Sequence, residues 1–215
     1  MLDQKVEETV FTLLRLAATK LPEDVEQSLL AARQHETSDT ARAQLDAILM
    51  NVHLAEEANT PICQDTGIIT FYLTVGEKFP IARKLPAIIR KATKRATETI
   101  PLRPNAVNPF TEKNSGDNTG KNIPYIHWEV TSGNKLQVAV LLKGGGSENA
   151  CAIGMLNPGL GIDEVKRFVV DTLIEAGAKP CPPVILGVAV GGGADIAMIL
   201  AKKALLRPVN KYNKK

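Results

Sequence analysis

Cys63-Gln64-Asp65-Thr66 sets a thiol, an amide, a carboxylate and a hydroxyl side by side, with Thr60-Pro61-Ile62 before them and Gly67 after. A helical pattern ends just ahead of this stretch, and an apolar run, Ile68 to Leu73, begins just behind it. Loops held between rigid elements are where binding and catalytic groups concentrate. A plainer reading is equally open from these residues alone. Pro61 and Gly67 would then be turn punctuation, Cys63 a small buried hydrophobe and Asp65 a local cap.

Three further stretches bear on that choice. Arg103 sits between prolines in Pro101-Leu102-Arg103-Pro104, a stiff frame that suits a guanidinium gripping a carboxylate with two parallel bonds, although an exposed loop arginine would look the same. Lys143-Gly144-Gly145-Gly146 follows an apolar strand pattern, and a glycine triplet lets backbone amides approach an anion. It lacks the G-x-x-x-x-G-K-[ST] spacing of a P-loop, so a nucleotide-binding module is a distant alternative. Cys181, in Lys179-Pro180-Cys181-Pro182-Pro183, is held by prolines that would aim its thiolate through the backbone. Cys63 and Cys181 lie too far apart for a local zinc-knuckle or ferredoxin spacing. Any shared site must therefore be assembled from distant loops.

The elements that would position these residues follow from hydrophobic period. Val6, Val10, Leu13, Leu14, Ala17 and Ala18 form a helical stripe over residues 3–20. Leu21-Pro22-Glu23-Asp24 interrupts it and starts a second helix through Val25, Leu29 and Leu30. Ser38 or Asp39 caps a third, carrying Leu45, Ile48, Leu49, Val52 and either Leu54 or Ala55. His35 and His53 read as surface or satisfied histidines on this helical layer. A strand from Ile68, a helix over Pro86–Thr99 with a basic outer face, and a long Asn/Pro/Gly-rich loop to Pro124 come next. Repeated Asx-turns could order that loop. Tyr125–Val130 and Lys135–Leu142 read as two strands of a hairpin turning at Thr131-Ser132-Gly133-Asn134. A helix over Ile162–Ala176, a strand over Val184–Val190, a second triplet at Gly191–Gly193 and a helix over Asp195–Leu206 complete the pattern. Both triplets read as one solution, a strand end with its backbone open to a ligand.

The chain has 215 residues, 44% hydrophobic and 23% charged, with net charge +3, ordinary for a globular protein and too near neutral to argue for nucleic acid or an anionic membrane. No apolar run is long enough to span a bilayer, and the acidic start Met1-Leu2-Asp3 is unlike a signal peptide. The chain therefore reads as cytoplasmic, and three cysteines, an odd number in a reducing compartment, argue against a disulfide framework and leave free thiols or metal ligands.

The blocks PICQDTG, PLRPNAVNP, NSGDNTG, KGGGSEN, PCPP and GVAVGGGADIAMILAKKALLRP, in this order from about Leu21 to Pro208, resemble the alpha subunit of two-subunit class I fumarate hydratases and L-tartrate dehydratases. The resemblance implies an iron–sulfur hydro-lyase with a [4Fe–4S] cluster whose one open iron takes the substrate's hydroxyl and carboxylate. By motif, Cys63 and Cys181 would be cluster ligands. Gln64 and Asp65 would face the substrate, with Asp65 assisting proton transfer. Arg103 would clamp a carboxylate, and the Gly145 and Gly146 amides would line the pocket. Lys143, Asn105 and Asn118 are weaker candidates for the same wall. The family's further arginine, lysine and threonine groups come from a beta subunit, so a partner and an oligomeric assembly are implied.

The family's alpha segment continues beyond the equivalent of Pro208 with a histidine and a third cluster cysteine, and this C-terminal part reads as missing here. The third ligand is then Cys151, a residue beyond this sequence, or none. Cys151 falls where the family places no ligand and reads as a packed thiol. The expected fold is mixed α/β in one catalytic domain over 1–215. It comprises a helical layer over 1–58, an α/β part over 59–208 with site loops at strand ends, and a polar tail over 209–215. A non-catalytic homologue acting as an assembly or scaffold protein is the alternative reading.

Overall fold

A computed structural model describes residues 1–211. Residues 212–215, most of the expected polar tail, lie outside the described residues. The chain divides into two compact units, Met1–Lys143 and Gly144–Lys215.

The first unit is built on three helices, a three-stranded sheet and a fourth helix. Helix α1 (Leu2–Thr19) buries Val6, Val10, Leu14 and Ala18 at a four-residue spacing that places them on one face. Helix α2 (Glu23–His35) begins after Pro22 with acids in its first turn. Helix α3 (Asp39–Ala58) is capped by Ser38, whose hydroxyl accepts the Ala41 N–H, and it buries Leu45, Leu49, Val52 and Ala55. Leu54 is exposed. His35 and His53 are exposed too, as expected of surface histidines.

Strand β1 (Ile68–Gly76) is the centre of the sheet, flanked by β2 (Tyr125–Thr131) in parallel and by β3 (Leu136–Lys143) in antiparallel. The expected β2–β3 hairpin is therefore corrected: those strands lie on opposite sides of β1. Their connector wraps over the end of β1 instead. Gly76 N–H donates to Lys135 O at 2.8 Å, Glu77 N–H to Thr131 O at 2.8 Å, and Lys78 N–H to Gly133 O at 2.9 Å. A Cβ on Gly76 would stand 2.4 Å from Gly133 O, so only glycine lets the connector cross there.

Ile69, Phe71, Leu73 and Val75 of β1 turn toward the buried faces of α1 and of α4 (Leu85–Thr99), where Leu85, Ile88, Ile89, Ala92 and Ala96 complete the core. Alternation along the strand and a helical stripe thus meet in one apolar layer. The basic residues of α4 are partly spoken for by α1. Lys91 pairs with Glu7 at 2.9 Å and Arg95 with Glu8 at 2.7 Å, while Lys84 just ahead of α4 reaches Asp3 at 2.8 Å.

The second unit holds α5 (Gly145–Asn149), α6 (Gly161–Ala176) and α7 (Ala194–Ala204), with a short 3₁₀ turn at Pro158–Leu160. Residues 184–190 pair with no strand among the described residues, which corrects the expected strand; its apolar run finds no ladder partner. The two glycine triplets also differ. Gly144 caps α5 with φ −63°, whereas Gly191, Gly192 and Gly193 all have φ between 83° and 85° and lead into α7.

Candidate active site

The Cys63 loop is fixed at both ends. Helix α3 stops in a Schellman arrangement: Asn59 takes the left-handed conformation, Thr60 N–H donates to Ala55 O at 3.0 Å and Asn59 N–H to Glu56 O at 3.2 Å. Ile62 N–H then donates to Ala18 O at 2.9 Å, and Asn51 Nδ2 to Ile62 O at 2.8 Å, tying the loop to α1 and α3. At the far end Gly67, with φ +82°, lies against β3 so closely that a Cβ would come within 2.6 Å of the Lys143 backbone. This contact places Lys143, the last residue of β3, beside the loop.

Between those anchors Cys63 and Gln64 are exposed, while Asp65 is half-buried. Asp65 Oδ1 accepts the Gly67 N–H at 3.2 Å, an Asx turn, and the Asn105 Nδ2 amide at 3.1 Å. Asn105 Nδ2 also reaches Gly67 O at 3.2 Å. Thr66 is buried and bonds the backbone of Arg103. The Cys63 loop and the Arg103 loop, far apart in sequence, are thus laced together by side chains.

The Arg103 loop is ordered, and by the predicted device. Asn108 Oδ1 accepts from Phe110 and Thr111, Asn114 Oδ1 from Gly116, and Asp117 Oδ1 from Thr119. Burial pushes the Asp117 carboxyl up, but the Thr119 hydroxyl and amide, Ser115 and the Lys94 charge outweigh it and hold it below its ordinary value. Arg103 itself is exposed, and among the described residues its guanidinium makes no ion pair. Asn118 is only 3% exposed, so it supports the loop from below and is no part of an open wall.

In the second unit, Gly145 and Gly146 open α5, and a Cβ on Gly146 would lie 2.9 Å from Lys179 O. The triplet therefore packs on the segment leading to Cys181. Cys181 is exposed and has φ +58°, a backbone setting uncommon for a side chain of its kind. Cys151 is exposed as well, which corrects its reading as a packed thiol. It follows α5 in a unit where no described residue is fully buried, so no core is available to receive it.

The structure brings Cys63, Gln64, Asp65, Arg103, Asn105 and Lys143 into one loop cluster of the first unit. It brings Gly145, Gly146 and Cys181 into one cluster of the second. Thr66, Thr97 and Asn118, which link the loops, were not singled out as such by sequence pattern. Among the described residues no group of three His, Cys, Asp or Glu side chains is placed to hold a metal ion.

The family model for fumarate hydratase (Fumerase) matches residues 7–215. The chain belongs to this family. Among curated relatives it is 41% identical over 214 residues to the "Putative L(+)-tartrate dehydratase subunit alpha" of Methanocaldococcus jannaschii, an alignment covering 98% of this chain and 75% of the relative. It is 34% identical over 206 residues to the L(+)-tartrate dehydratase subunit alpha of Escherichia coli strain K12, covering 95% of this chain and 68% of the relative. The Shigella sonnei protein of the same description matches to the same extent. The mixed α/β architecture is that expected of the family.

Proposed function

We propose that this chain is the alpha component of an iron–sulfur hydro-lyase that interconverts fumarate and (S)-malate or dehydrates L-tartrate to oxaloacetate, working with a beta subunit. The observation that carries this reading is the lacing of the Cys63–Gly67 loop to the Arg103 loop, in a chain of the fumarate hydratase family. Subunit designations of the relatives support the beta partner. Apolar side chains left exposed on the second unit, among them Val170 and Ile174 of α6, give such a partner a surface to cover. We place the complex in the cytoplasm, where the three free thiols would stay reduced. No helix among the described residues is long and apolar enough to cross a membrane.

The donors are of the right chemistry for a cluster, and they supply two of the three thiolates that a [4Fe–4S] cluster with one open iron would need. Thiolates bind iron, and Cys63 and Cys181 present exposed sulfurs on loops pinned by backbone contacts. These two residues would be among the ligands of a [4Fe–4S] cluster, which when bound would supply the Lewis acid that departure of hydroxide from a 2-hydroxy acid requires. The other tasks fall to side chains and amides of this chain. Arg103, whose planar guanidinium makes no ion pair among the described residues, would offer it to one substrate carboxylate. Asp65, its Oδ1 oriented by Asn105 and Gly67, would take the C3 proton in the elimination and return it in the hydration. Gln64 would contact the substrate from the same loop. Lys143 and the Gly145 and Gly146 amides would add positive potential toward a dicarboxylate.

Anaerobic reconstitution of the chain and its beta partner with iron and sulfide tests the assignment. The expected result is visible absorbance with stoichiometric iron and sulfide, lost on Cys63→Ala and on Cys181→Ala. Cluster content that survives both substitutions would overturn the ligand assignment.

A further inference from the structure

The polar atoms of the Asn118 side chain all bond within the protein. Its Oδ1 accepts the Asn105 N–H at 2.8 Å. Its Nδ2 donates to Thr97 Oγ1 at 3.1 Å and to Arg103 O at 3.1 Å, which uses both amide hydrogens. The residue is 3% exposed and has φ +57°, a conformation that asparagine tolerates better than most residues. Thr97 belongs to α4, and its hydroxyl lies 2.9 Å from Thr93 O and 3.2 Å from Asp117 O. One buried amide therefore joins a core helix to two branches. One branch runs through the Asn105 backbone to the Asn105 side chain and on to Asp65 Oδ1. The other ends on the carbonyl of Arg103.

We propose that Asn118 is a positioning residue of the hydro-lyase site, setting Arg103 and, through Asn105, Asp65 in one frame without touching substrate. The proposal rests on the reading above, in which Asp65 and Arg103 serve a dicarboxylate. Misplacing a reacting group by about 1 Å can cost about a hundredfold in rate. A loop rich in turns needs an anchor to reach that precision, and a fully satisfied buried amide is a rigid one. The chemistry also specifies an amide. A carboxylate at 118 keeps an acceptor for the Asn105 N–H but loses both amide donors; the Thr97 hydroxyl can turn and donate to it, whereas the Arg103 carbonyl cannot, so the Arg103 branch can be cut while the other is kept.

The test uses the chain assembled with its beta partner and compares Asn118→Asp, Asn118→Ala and Asn105→Ala. Asn118→Asp should raise KM for the dicarboxylate about tenfold with kcat within about twofold, because the Arg103 carbonyl loses its donor while the Thr97 hydroxyl can donate to the new carboxylate. Asn105→Ala should lower kcat about tenfold or more with KM within about twofold, because the Asp65 branch is cut. Asn118→Ala should do both, and adding Asn105→Ala to it should cost little further kcat, since the two act in series. Losses that are additive, or that follow only the fraction of folded protein, would overturn the proposal.

Amide exchange of the chain supplies a readout independent of turnover. Asn118→Ala should speed exchange at the Gly67 and Arg103 N–H groups about tenfold or more relative to the core amides of β1. Wild-type exchange at both would contradict the proposal. If the wild-type complex turns over neither acid, the functional reading fails while this exchange result still judges the positioning role. If Asn118→Ala does not fold, Asn118→Asp and Asn105→Ala carry the same comparison.

Discussion

Thr66 Oγ1 accepts the backbone N–H of Arg103 at 3.0 Å and lies 3.4 Å from the Arg103 carbonyl. A hydroxyl on the Cys63 loop thereby holds both faces of the Arg103 peptide backbone, while the guanidinium is left in solvent. Thr66→Val keeps the shape and removes both bonds. It should cost about 1–2 kcal/mol in urea unfolding, the penalty of stranding a partly buried N–H. KM for the dicarboxylate should rise in the same variant, because the arginine loses its fixed origin.

Arg103 itself should behave differently. Its side chain is exposed and makes no ion pair among the described residues, so Arg103→Lys should leave the unfolding midpoint within about 0.5 kcal/mol of wild type. Affinity for a dicarboxylate should fall about tenfold, since an ammonium cannot reproduce the paired bonds of a guanidinium. Competitive inhibition by a non-reacting dicarboxylate measures this directly.

Two glycines with nearly the same φ separate backbone strain from crowding. Gly67 has φ +82° and Lys143 backbone atoms within 2.6 Å of an added Cβ, whereas Gly116 has φ +79° and nothing within 4 Å. Gly116→Ala should cost about 1 kcal/mol, the strain of the left-handed conformation alone. Gly67→Ala should cost about 2–4 kcal/mol, because β3 must also move. Equal losses in denaturant titrations would mean that the close approach to Lys143 is unimportant.

Acid should loosen the Arg103 loop at its Asp117 end. The Asp117 carboxyl is held below its ordinary value of 3.8, so its contribution is fully present above that pH and is lost as pH falls through the lower folded value. The group is half-buried, but its charge partner Lys94 is exposed at 3.8 Å, and solvent screening keeps that contribution small. Backbone exchange or chemical shifts of Thr119 should therefore change below pH 3.8 in wild type, and Asp117→Asn should remove that step.

What was legible in the sequence follows the range of the interactions concerned. The α1 stripe, the Ser38 cap and α4 rest on neighbours within a turn of helix, and they stand where pattern placed them. Strand pairing is not local. Thr131-Ser132-Gly133-Asn134 has the composition of a tight turn, yet it bridges over Gly76 because β1 inserts between β2 and β3. Val184–Val190 has strand-like residues but no ladder among the described elements. At the site, the exposed chemistry of Cys63, Asp65 and Arg103 was visible as residue type and motif. The scaffolding roles of Thr66, Thr97 and Asn118 were hidden, because each depends on which distant carbonyl or amide it meets. The one hint was the Asn-rich composition of the loop, which signalled turns but not their partners.

The most direct test of the hydro-lyase assignment is the rate at which the reconstituted alpha–beta complex hydrates fumarate or dehydrates L-tartrate, measured beside Asp65→Asn under the same anaerobic conditions. Turnover of one of these acids, with kcat reduced about a hundredfold or more in Asp65→Asn at unchanged cluster content, is the predicted result. A cluster-replete complex that turns over neither acid, or an Asp65→Asn variant with wild-type kcat, would contradict the account.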